Sequence, residues 1–72
     1  MSDHVYRVVE IVGSSTESVD DAIRNAISEA GKSIRELRWY EVKGVRGEIL
    51  DGAVGHFQVT LKVGFTLEDS RA

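Results

Sequence analysis

The sequence predicts a small α+β domain of order β-α-β-β, in which a three-stranded antiparallel sheet covers one helix. Three observations carry this reading. A short β-branched run, "VYRVVEIV" from Val5 to Val12, opens the chain. Apolar residues then recur at helical spacing between Val19 and Ala30. Two extended segments follow, joined at "LDGA", where Asp51-Gly52 suits a two-residue type I′ turn. A helix with one apolar stripe and a sheet with one apolar face are each stable only when packed together.

The first strand is expected to stop at Gly13. Beyond it, "GSSTES" offers several helix caps: Ser14 with Glu17 fits a capping box, and Ser15 or Thr16 would serve equally. The helix is therefore placed from about Thr16 to Ala30, with Val19, Ala22, Ile23, Ala26, Ile27 and Ala30 on one stripe. Glu17, Asp20 and Asp21 crowd the first turn, where the helix dipole favours acids. Gly31 is a natural C′ residue.

The second and third strands are read as Ile34 to Ile49 and Ala53 to Phe65. The third alternates cleanly: Phe57, Val59, Leu61, Val63 and Phe65 point one way, and His56, Gln58, Thr60 and Lys62 the other. The tail "EDSRA" reads as frayed. A strand of some 15 residues reaches about 50 Å, whereas a helix of that residue count spans about half as much. Part of the hairpin thus has no helix above it, which invites subunit contacts.

The chain of 72 residues makes a single domain, residues 1–72 with an ordered core of about 4–67, too small to be very stable alone. It has no cysteine, and His4 and His56 lack metal-ligand spacing. Self-association is the route left for stabilisation. A net charge of −3 argues against a nucleic-acid backbone binder. No signal-peptide pattern or membrane-length apolar run is present, so a soluble cytoplasmic protein is expected.

The one tryptophan, Trp39, lies in the charged stretch "ELRWYEVKGVRG". If Leu50 pairs with Ala53 across the turn, odd positions of the second strand share a face with even positions of the third. Trp39 then joins His56, Gln58, Thr60 and Lys62 on the polar face, Val45 sits opposite Gln58, and Tyr40 and Val42 turn towards the helix. Arg46 falls on the opposite parity from Trp39. A bulge near Gly44 or Gly47 would reverse the face beyond it. Trp39 either packs in a core or offers its indole to another subunit or a flat ligand.

The stretches "VYRVVEIVGSS", "ESVDDAI", "LRWYEVKGVRG" and "GAVGHFQVTLKVGF" together resemble the dodecins, small bacterial and archaeal flavin-binding proteins. The similarity runs from about Val5 to Asp69 without evident gaps. It implies a sheet wrapped around the helix and a hollow shell of twelve copies. It also implies flavins bound in pairs between subunits, their rings stacked and sandwiched by a tryptophan from each neighbour. By this resemblance Trp39 is the stacking residue, Gln58 binds the polar edge of the ring, and Arg46 meets the phosphate of a phosphorylated flavin. Val45 is counted with them from its place opposite Gln58. Arg46 would need a bulge, a different subunit or the far end of its strand to join the others. FMN is the implied ligand, with riboflavin and lumichrome as competitors. Many bacterial dodecins carry an arginine where this chain has Thr66, which weakens the expectation of an extra phosphate or coenzyme A contact.

Other signals are set aside. "GSST" before a helix could cradle a phosphate, but it lacks a P-loop lysine and acids crowd the helix start. "GVRG", Gly44 to Gly47, imitates the Gly-x-x-Gly loop of KH domains yet lies in a strand. His56 is a weak general-base candidate with no nucleophile motif beside it. The implied function is non-enzymatic flavin storage, sequestration and photoprotective quenching by a homododecamer. A flavin-dependent redox enzyme and a ligand-free structural shell are the alternatives.

Overall fold

The structure is a computed structural model and describes residues 4–67; the tail expected to fray, Glu68 to Ala72, lies outside them. The elements run β1 (Tyr6–Ser15), α1 (Val19–Ala30), β2 (Leu37–Leu50) and β3 (Ala53–Thr66). They form one antiparallel sheet in the order β1-β3-β2. The last strand is central, so the first and second strands both end as edges.

β1 does not stop at Gly13. It continues to Ser15, and Gly13 inside it lies close beneath α1. A Cβ there would overlap the Ala22 carbonyl oxygen and stand 2.7 Å from Ala26 Cβ. The helix starts later than expected, at Val19, with Ser18 as N-cap; its hydroxyl accepts from the Asp21 N–H at 3.0 Å. Ser15 is instead the hinge between strand and helix. Its Oγ accepts from the Glu17 N–H at 2.8 Å and donates to Asp21 Oδ2 at 2.8 Å. Gly31 closes the helix in right-handed conformation (φ −65°), its N–H on the Ile27 carbonyl at 2.9 Å.

The core is Ala22, Ala26, Val59, Leu61 and Val63, flanked by Val9, Ile11, Val19, Ile23, Ile27 and Leu37. This is the helical stripe set on the odd-numbered residues of β3, as the alternation predicts. β1 adds Val9 and Ile11, opposite Val63 and Leu61. Tyr40 and Val42 do lie on that face, opposite Val63 and Leu61. They are nonetheless exposed, 51% and 43%, because the helix lies over β1 and β3 and leaves β2 bare beyond Leu37.

The hairpin outruns the helix. Ile49, Leu50 and Val54 at its tip are exposed apolar side chains. The chain measures 56 × 20 × 14 Å, and its radius of gyration is 15.1 Å. A compact domain of this size would have about 11 Å.

The turn is as expected, with positive φ at both Asp51 (51°) and Gly52 (78°). The ladder above it is irregular. Three register shifts occur, between Leu37 and Trp39, Val42 and Gly44, and Glu48 and Ile49. Each strands one extra residue: Arg38 and Lys43 on β2, and Gly55 on β3. The Lys43 and Gly55 bulges lie on opposite strands and cancel.

Candidate functional site

Cancelling bulges decide which side chains share a face. Between them Arg46 pairs with Gln58 and Val45 with Val59. The expectation that Val45 faces Gln58 is therefore overturned. Val45 turns to the helix side of the sheet, and Arg46 takes the place opposite Gln58. The parity mismatch assigned to Arg46 is removed by the same Lys43 bulge. Above it the register returns, and Trp39 pairs with Gly64. Gly64, Thr60 and Gln58 alternate on one uninterrupted strand. Trp39, Gln58 and Arg46 thus all lie on the face away from the helix.

Trp39 is held from below and from the side. Gly64 has no side chain, and the indole occupies the space one would fill: a Cβ there would overlap Trp39 Cε2 and Cζ2. Tyr6, on the opposite edge strand across β3, meets the indole edge-on, with ring centroids 6.3 Å apart and planes at 64°. Such tilted pairs contribute about 0.5–1.5 kcal/mol beyond area burial. The side chain is still 41% exposed. A supported aromatic surface thus stays open to a partner.

Beside Trp39, the bulged Arg38 donates from Nε to Thr66 Oγ1 at 3.1 Å and from Nη2 to Glu36 Oε1 at 2.7 Å. Glu36 itself adopts a left-handed φ of 62°. Towards the turn, Arg46 Nε donates to Gln58 Oε1 at 2.9 Å. The next pair along, His56 and Glu48, joins Nδ1 to Oε1 at 2.6 Å. These are exposed polar groups, available to a ligand or to another copy.

The structure brings Arg46 and Gln58 together but not Trp39. Gly64, beneath the indole, is six positions from Gln58 along β3, which at 3.3 Å per residue is about 20 Å. A three-ring heterocycle stacked on Trp39 would not reach Gln58 of the same copy. One ligand contacting both needs two protomers.

Sequence reading missed Gly64 and Tyr6 as supports of the indole. A glycine inside an otherwise β-branched strand is the signal for Gly64, since it marks close approach of another group. Tyr6 could be found only once β1 is known to pair with β3 in the observed register.

No helix among the described residues is long and apolar enough to cross a membrane. A family model described as Dodecin matches residues 5–68. The dodecin of Thermus thermophilus is 47% identical over 66 residues, covering 92% of this chain and 96% of that protein. Among solved structures, dodecin from Streptomyces coelicolor matches with a TM-score of 0.91 at 55% identity, covering 96% of this chain and 99% of that one. Dodecin from Streptomyces davaonensis gives a TM-score of 0.91 at 53% identity, covering 94% and 100%. Sequence and fold agree from end to end of the described residues, and the chain belongs to the Dodecin family.

Proposed function

We propose that this protein is a non-enzymatic flavin binder that stores flavin and quenches its photochemistry, in the cytoplasm, as a homododecamer. The observation that carries this reading is the open indole of Trp39, seated over Gly64 on the face away from the helix. An indole and an isoalloxazine are both broad, flat and polarisable, so stacking removes a large apolar area from water. Gln58 lies on the same face about 20 Å away, so it contributes to the ring's pyrimidine edge from another copy. That division matches the paired, inter-subunit binding that membership of the family implies. Bound flavin supplies a light-absorbing redox ring; Trp39 stacks on it, Gln58 hydrogen-bonds its polar edge, and both limit its contact with water.

FMN is the ligand of choice because Arg46 stands beside Gln58 and offers a charge-assisted contact to a phosphate. Val45 faces the helix side and is not assigned a ligand contact. The His56–Glu48 pair on the same face lies eight positions along β3 from Gly64, about 26 Å from the indole, and a ring sandwiched between indoles leaves little access for a substrate.

Size-exclusion chromatography with added FMN, monitored in the flavin absorbance band, tests the proposal. Co-elution of flavin with a shell-sized species is expected. Titration should extinguish flavin fluorescence with the wild type and leave it largely intact with Trp39→Ala. A monomer-sized peak that takes up no flavin would overturn the reading.

A further inference from the structure

Arg46 has a geometric task that does not depend on phosphate. Its Nε donates to Gln58 Oε1 at 2.9 Å, across directly paired positions of β2 and β3. A guanidinium has donors only, so the amide atom facing it must be the oxygen. An unpaired glutamine amide can present either end, and its side chain has three rotatable bonds to order on binding. Paired with Arg46, the amide keeps its oxygen towards β2 and directs its NH2 group away. The oxygen retains a second lone pair. Gln58 then offers a donor and an acceptor in fixed order, the pattern complementary to an imide edge that alternates C=O and N–H.

We infer that Arg46 is a positioning residue for Gln58, setting its amide for the polar edge of the flavin ring whether or not the ligand carries a phosphate. The inference rests on the flavin reading above and deepens it. The bulges at Lys43 and Gly55 make the arrangement possible, because an unbroken ladder would set Val45 opposite Gln58.

Riboflavin, which has no phosphate, is the probe that separates this role from a phosphate contact. Riboflavin and FMN are titrated by fluorescence quenching into wild type, Arg46→Ala, Gln58→Ala and the double variant, each confirmed as assembled by size exclusion. Losing one oriented hydrogen bond should weaken riboflavin about tenfold in Arg46→Ala. The double variant should bind riboflavin no more weakly than Gln58→Ala, because Arg46 acts through Gln58. Arg46→Lys, which keeps a donor and a charge, should recover part of the riboflavin affinity; should Arg46→Ala fail to assemble, this variant with Gln58→Ala supplies the test. Unchanged riboflavin binding in Arg46→Ala with weakened FMN would overturn the inference and leave Arg46 a phosphate ligand only. Additive losses in the double variant would overturn it too. Failure of the wild type to quench either flavin would instead remove the flavin reading on which it rests.

Discussion

The indole of Trp39 occupies the volume that a side chain on Gly64 would need, and the two residues are direct partners in the β2–β3 ladder. The absence of a side chain on one strand lets the aromatic of the other lie down on the sheet. Gly64→Val should lift the indole off its seat while leaving the core intact. Flavin affinity is expected to fall about tenfold or more as the stacking geometry is lost, with an altered tryptophan emission in the free protein. Unchanged emission and affinity would show that the seat is unimportant.

The Lys43 bulge makes a second, sharper prediction. Lys43 is the extra residue between the Val42–Leu61 and Gly44–Thr60 pairs, so deleting it leaves both flanks in their present register, with Arg46 still opposite Gln58 and Trp39 still opposite Gly64. The deletion should keep the wild-type size on a sizing column and bind FMN within about threefold of the wild type. Loss of assembly together with loss of FMN binding would contradict the assigned bulge.

Close packing of α1 on β1 depends on Gly13, beneath Ala22 and Ala26. Gly13→Ala forces a methyl into backbone that cannot yield, and overpacking of this kind costs about 1–3 kcal/mol. Urea unfolding at fixed protein concentration measures it. A midpoint equal to wild type would contradict the close approach.

Two serines near the helix start should differ in weight. Ser18 caps a single N–H, and its replacement by alanine costs about 1 kcal/mol. Ser15 is 7% exposed and serves both the Glu17 N–H and the Asp21 carboxylate. Burying those groups unpaired adds about 1–3 kcal/mol, so Ser15→Ala should be the more damaging of the two. The reverse ranking in a thermal melt would argue against the strand-to-helix role of Ser15.

The helix stripe and the alternation of Phe57 to Phe65 were legible in the sequence because each repeats one period over several residues. The Asp51-Gly52 turn was legible because left-handed backbone there selects few residue types. The bulges were not, since an extra residue leaves no compositional mark when Lys43 and its neighbours all suit a strand. Trp39 was nevertheless placed on the correct face, because two unseen shifts of opposite sign lie between it and the turn. Val45 and Arg46 lie between those shifts, which is why their faces were interchanged. The helix start was missed because serines at 14, 15 and 18 are chemically alike. In the structure the strand takes Ser14 and Ser15, and Ser18 caps the helix.

The protomer's 56 Å length has a thermodynamic corollary. Among the described residues the fully buried large side chains are Leu61, Val59 and Val63, all in the helix-covered half. If the chain assembles as proposed, the bare hairpin half gains most of its burial when copies meet, and folding becomes a reaction of high molecularity. Melting temperature should climb with total protein concentration, steeply, as mass action demands. A polar substitution at Ile49, remote from the core, would then register as a folding defect in dilute solution and fade when the protein is concentrated.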